Sequence, residues 1–204
     1  MRKTIEYFYA CHSVYAYLGA GRLAEIAAQK GAEIIHRPFD FDPVMAAAGG
    51  APFGKRPKAH MDYFFGRELR RWAEYRDRAM IQHRPMCHDN PLALGNGAII
   101  AAQNAELDAD ALSRGLLAAH WRDDADLAAP KTLHTIAAGL NMDGAMLLEA
   151  AKSRDVQHQH GTNTDEAIAR HVIGSPTYFV QGDMFYGQDR LELVARALDT
   201  PFAR

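Results

Sequence analysis

Ser13 stands where a run of β-branched and aromatic residues, Ile5 to Tyr9, gives way to a helical pattern in which Tyr15, Gly19, Leu23 and Ile26 recur. A serine at such a junction satisfies the unpaired N–H groups of the first helical turn. Because a strand leads straight into the helix, the hydroxyl also lies at the positive end of a helix dipole and at the carboxyl edge of a sheet, where anions and thiolates are favoured. The chemistry it suits is hydrogen bonding to a charged sulfur or oxygen, which needs no general base beside it. Taken alone, the residue reads first as a plain N-cap, so a second feature has to decide.

Other reactive side chains lack a productive pattern. Cys11 and Cys87 are far apart and form no C-x-x-C, so a dithiol redox centre is not expected. There are ten histidines, but His83 and His88 flank a Pro-Met-Cys turn and His158 and His160 sit in a polar stretch. None has a metal-ligand spacing such as H-E-x-x-H, and no metal site is expected.

The elements that must position Ser13 are legible in order. Gly31 stops the first helix and Ala32 to Phe39 reads as a second strand, giving a right-handed β-α-β unit with parallel strands. Residues 41–57 are dense in Pro and Gly, too broken for a regular element, and read as a connecting loop that is a candidate binding loop or lid. The middle of the chain is helical. Phe65, Leu69, Trp72 and Arg76 form one stripe, Leu112, Leu116 and Ala119 another, and Leu133, Ile136, Ala137 and Leu140 a third, with helix starts at Asp108, Pro130 and Asp143. Sheet signals return at Thr177 to Gln181, followed by a Gly182-Asp183 turn and a strand over Met184 to Tyr186. A last helix begins near Asp189, which has capping-box spacing to Glu192. The order β-α-β, helices, β-β-α is an α/β thioredoxin-like domain over 1–40 and 172–204, with an all-helical subdomain inserted over 58–171.

In 204 residues, 48% are hydrophobic and 23 basic side chains balance 25 acidic ones, as in an ordinary globular domain. No basic patch points to nucleic acid. The start, MRKTIEYFY, has no signal-peptide pattern and no stretch reaches membrane-spanning length, so a cytoplasmic protein without membrane contact is expected.

The second feature is Gly174-Ser175-Pro176-Thr177. In a thioredoxin-like domain a proline entering the third strand corresponds to the cis-proline beside the first helix, which leaves the preceding backbone to pair with a thiol peptide as an added strand. With it, the chain resembles the 2-hydroxychromene-2-carboxylate isomerases and, more distantly, the kappa-class glutathione transferases, both of the DsbA-like thioredoxin superfamily. The likeness covers essentially the full length. It rests on Ser13-x-Tyr15-x-Tyr17-Leu18, on Asp62-Tyr63 to Arg71-Trp72-Ala73, on Gly174 to Thr177, and on Phe185-Tyr186-Gly187-Gln188-Asp189-Arg190-Leu191.

The resemblance implies that Ser13 is the catalytic serine, hydrogen-bonded to the sulfur of glutathione as cofactor. It implies that Ser175 and Pro176 clamp the glutathione cysteine, that Gln188 and Asp189 lie by its γ-glutamyl group, and that Lys58 falls at about the position of a lysine in the substrate loop. Lys58 or Arg56 is then the cation expected to offset the substrate carboxylate. Two positions depart from the family: Ala10 replaces the usual Asp three residues before the serine, and Val14 replaces the proline after it. The implied activity is isomerisation of an aromatic keto acid by a homodimer, with a kappa-like transferase as the alternative. Disulfide exchange through Cys11 is disfavoured, because no partner cysteine is near.

Overall fold

The computed structural model describes residues 2–50 and 55–203. The first strand is β1, Lys3–Tyr9, an interior strand of a four-stranded sheet of order β2-β1-β3-β4. β2, Ala32–Pro38, runs parallel to β1 with His36 opposite Tyr7. Between them lies α1, Val14–Lys30, which ends where Gly31 takes φ 58°, a left-handed conformation that costs glycine little. β3, Thr177–Val180, is antiparallel to β1 with Thr177 opposite Phe8, and β4, Asp183–Tyr186, pairs with β3.

The pleat of β1 sends alternate side chains to opposite faces. Ile5, Tyr7 and Tyr9 join the buried residues of α1 and of the terminal helix α10, Leu191–Asp199. Phe8 enters a second cluster with Phe39, Val44, Ala167 and Phe179. Tyr7 stacks on Tyr9 at 3.9 Å and on Tyr178 at 5.3 Å, so the centre of the larger core is a pile of aromatic rings.

Between the strands of the two halves the chain is helical. The elements are α2, Phe41–Ala47; α3, Lys58–Asp62; a π-helical turn, Tyr63–Glu68; α4, Leu69–Tyr75; and α5, Ala93–Asn104. They continue with α6, Ala109–Asp123; α7, Pro130–Gly139; α8, Gly144–Lys152; and α9, Arg154–Ala169. The expected starts appear as drawn from the residue types: Asp108 accepts from the N–H of Ala111, Asp143 from those of Ala145 and Met146, and Pro130 opens α7. Among the described residues no helix is long and apolar enough to cross a membrane.

Three expectations are corrected. The 41–57 segment is not all loop, because α2 occupies its first part. Pro43 falls within the first turn, where a missing N–H breaks no intrahelical bond, and Gly49 and Gly50 follow the helix rather than interrupt it. Pro52 and Gly54 of that stretch lie outside the described residues. The β3–β4 turn is Gln181-Gly182, at φ 51° and 81°, one residue earlier than expected. The last helix has no capping box, since a 3₁₀ turn, Gln188–Arg190, precedes α10, and Glu192 binds Arg22 instead.

Gly95 on α5 shows how closely the block packs under the start of α1. A methyl group there would lie 2.8 Å from Cys11 Sγ. Gly95→Ala is expected to lower the urea-unfolding free energy by about 1–3 kcal/mol. Combined with Cys11→Ala, which removes the opposing sulfur, it should cost less than the two single changes together; strict additivity would contradict this packing.

Candidate active site

Ser13 is the N-cap of α1, with φ −70° and ψ 122°, and its Oγ accepts from the N–H of Ala16 at 3.3 Å. The same hydroxyl donates to the carbonyl of Ser175 at 3.1 Å. A second bond runs beside it: the N–H of Ala10 donates to Ser175 Oγ, also at 3.1 Å. Two serines 162 positions apart are thus joined at the carboxyl end of β1, next to the start of α1. The Ser175–Pro176 peptide is cis, as the resemblance implies.

The loop carrying Ser175 is held on both flanks. Thr177 Oγ1 donates to the carbonyl of Gly174 at 2.7 Å, and the N–H of Gly187 donates to that of Pro176 at 2.9 Å. The Tyr186 ring lies so close to Gly174 that a Cβ there would meet it at 2.2 Å, so residue 174 has to be a glycine for this ring position. Tyr15, in the first turn of α1, donates from its hydroxyl to the carbonyl of Phe64 at 2.7 Å and ties the π-helical turn to the site.

The other residues singled out from the sequence divide. Asp189 lies beyond Gly187, is 40% exposed and pairs with Arg190 at 2.6 Å. Its charge is felt at both Tyr15 and Tyr186, whose hydroxyls burial holds above the ordinary tyrosine range. Gln188 is buried, with its side-chain oxygen accepting from Arg76 Nε at 3.3 Å and its Cβ pressed against Gly19. It braces α1 against the last turn, and its amide is engaged in the interior. Lys58 is not drawn in: its side chain is 86% exposed and pairs with Asp62 at 2.5 Å. Of the cations Lys55, Arg56 and Lys58, Arg56 is the one whose charge reaches Tyr186.

Cys11 is fully buried and burial pushes its thiol up to about 12, so at neutral pH it is an uncharged packing group. Both cysteines are free.

The family model of the DsbA-like thioredoxin domain matches residues 4–199. The chain belongs to the DsbA-like thioredoxin family. Within it, a 2-hydroxychromene-2-carboxylate isomerase of Sphingobium xenophagum is 26% identical over 95% of this chain and 97% of its own. An enzyme of the same name from Pseudomonas putida is 25% identical over 95% of this chain and 93% of its own. A solved structure of 2-hydroxychromene-2-carboxylate isomerase superposes with a TM-score of 0.80 at 23% identity, covering 96% of this chain and 94% of that one.

Two groups of residues at the site escaped sequence reading. Asn96 on α5 is fully buried. Its Oδ1 accepts from the N–H of Cys11 at 3.1 Å, and its Nδ2 donates to the carbonyl of Phe39 and faces His160 Nε2, both at 3.0 Å. A lone Asn between two glycines in the otherwise apolar run LALGNGAIIAA was the available signal. The second group is His12, His88 and His120, drawn from three distant segments, which no local spacing could have united.

Burial lowers His12 and His36 to about 3 and His88 to about 4, and holds His120 and His160 below the usual histidine value. In the unfolded chain these rings titrate near 6.5. As pH falls below that value the unfolded chain takes up protons that the folded one refuses, so stability present at neutral pH is lost between about 6.5 and 3–4. Each fully buried ring contributes a slope of about 1.4 kcal/mol per pH unit within that window. Urea midpoints should therefore fall steeply from about pH 7 to about pH 5; equal midpoints would contradict the burial of uncharged histidines.

Proposed function

We propose that this protein is a glutathione-dependent isomerase that interconverts cyclic hemiketal acids and open-chain aromatic keto acids, with 2-hydroxychromene-2-carboxylate as the type substrate. The observation that carries the reading is the Ser13 hydroxyl at the start of α1, in contact with the Ser175 carbonyl, with the Cys11 thiol two residues before it buried. Relatives named for this isomerase, aligned over nearly the whole chain, support it.

The residues present fit glutathione. A hydroxyl at a helix start suits its sulfur, the Ser175 backbone suits its cysteine, and the half-exposed Asp189 carboxylate suits an ammonium group. Bound there, glutathione supplies a sulfur nucleophile that adds reversibly to a conjugated double bond and allows it to rotate.

The protein's part is to keep that sulfur charged and placed. The α1 dipole contributes roughly 0.3–1 kcal/mol to a nearby anion, up to about 2 when partly buried. A hydrogen bond from Ser13 to a charged group adds about 1.5–3 kcal/mol. With about 1.4 kcal/mol per pKa unit, the two together bring a thiol from about 8.5 to near neutrality. Ser13 turns its proton from the Ser175 carbonyl to the sulfur, and that carbonyl is then free to accept from a peptide N–H. Arg56, whose charge is felt at Tyr186, is the cation suited to offset the substrate's acid group.

Conversion of 2-hydroxychromene-2-carboxylate, followed by absorbance with and without glutathione, tests the reading. Turnover should require glutathione. Ser13→Ala should lower kcat/KM by about 10- to 100-fold, the loss expected for one charge-assisted hydrogen bond, while Cys11→Ala should leave it nearly unchanged. Turnover indifferent to glutathione or to Ser13 would overturn the proposal. A chain inactive on this acid but active on a chromogenic electrophile would be a transferase instead.

A further inference from the structure

His12 precedes Ser13 and closes a group of three imidazoles that the chemistry above leaves without a role. Its ring centroid is 4.6 Å from that of His88 and 6.5 Å from that of His120, and those two rings stack at 5.2 Å. Their tautomers follow from one contact. His120 Nδ1 lies 3.0 Å from the carbonyl of Ala125, which can only accept, so Nδ1 carries the proton and Nε2 is left with a lone pair. His88 Nδ1, 2.9 Å from that Nε2, must donate to it, which leaves His88 Nε2 unprotonated. His12 is fixed from behind, since Trp121 Nε1 donates to its carbonyl at 2.8 Å and Phe41 packs edge-on to its ring. Its Nδ1 is buried with no hydrogen-bond partner.

A buried polar atom without a partner is costly, and one beside a reaction centre points to a group that arrives with the substrate. The charges that face the cluster are Arg84, Asp89, Asp124 and Asp126. Asp89 is engaged by Arg84 through both of its oxygens, Asp124 accepts from the N–H of Met86 and contacts His83, and Asp126 accepts from Asn90 and the N–H of Ala128. Each of these carboxylates is engaged elsewhere, and none hydrogen-bonds an imidazole of the cluster. His88 and His120 turn nitrogens to each other, and among the described residues no group of three such side chains is arranged to hold a metal ion.

Resting on the isomerase reading, we propose that His12 is a catalytic residue that moves the substrate's hydroxyl proton, with His88 and His120 as the positioning residues behind it. As a cyclic hemiketal opens, its O–H bond breaks and a new N–H bond forms on His12. The hemiketal carbon becomes a ketone, the ring C–O bond breaks, and its electron pair stays on the phenolic oxygen. His12 then returns the proton to that oxygen, so no proton is gained or lost. Burial keeps the ring in its base form at neutral pH and makes any imidazolium a ready donor, which suits a proton that is borrowed and returned.

The test compares the parent with His12→Phe, which keeps the ring contact with Phe41, and with His12→Gly given free imidazole. In His12→Phe, kcat for the hydroxychromene acid should fall about 100-fold or more, with KM for glutathione nearly unchanged. Free imidazole should restore turnover in His12→Gly. If neither variant folds, the parent decides: a solvent deuterium isotope effect on kcat of about twofold supports proton transfer, and its absence overturns the proposal. Full kcat in His12→Phe, or no rescue of a folded His12→Gly, would also overturn it. These results leave the isomerase reading standing; only a parent without turnover removes both.

Discussion

Two hydrogen bonds between the start of α1 and the loop before β3 organise this molecule. Ser13 Oγ donates to the Ser175 carbonyl and Ala10 N–H donates to Ser175 Oγ, each at 3.1 Å. They join the first and last parts of the sheet where the dipole of α1 is strongest. Everything else keeps those partners in place. β1 runs between parallel β2 and antiparallel β3, α10 and α1 share a core, and Gln188 wedges against Gly19 under the same helix.

The helical block does more than cover this scaffold. α5 places Asn96 where it answers the Cys11 N–H and the Phe39 carbonyl, backbone groups at the carboxyl ends of β1 and β2 that have no ladder partner. α6 supplies Trp121, which holds the His12 carbonyl, and His120, which sets the tautomer of His88. The site is therefore polar in its hydrogen bonds, while its buried thiol and imidazoles are uncharged: the thiol is raised and the imidazoles are lowered by the same burial. A single anion introduced at Ser13 would meet a hydroxyl and a helix dipole, with Cys11 and His12 beside it uncharged.

Much of this was legible because the relevant signals are local. The β-to-helix change at Ser13, Gly31 as a left-handed stop, and the caps at Asp108 and Asp143 each follow from one residue type at one place. The Gly- and Pro-rich stretch hid α2 because Pro43 was counted as a breaker, whereas in a first turn it is harmless. Asp189 and Glu192 had capping-box spacing, but a 3₁₀ turn displaced the helix start and Arg22 drew Glu192 away. Gln188, singled out as a ligand, also braces the interior through Arg76 and Gly19, and Lys58 faces solvent paired with Asp62. The imidazole group, and the Asn96 network under α5, depend on segments brought together only by tertiary packing, which no window along the chain contains.

The central claim is that Ser13 and the α1 dipole hold a thiol in its charged form. The ultraviolet absorption of the thiolate, followed against pH with glutathione bound to the protein and to Ser13→Ala, measures this directly. The account predicts a bound thiol pKa near or below neutrality, moved back toward its free value of about 8.5 when the hydroxyl is removed. A bound thiol that titrates as it does in water, with or without the Ser13 hydroxyl, would contradict it.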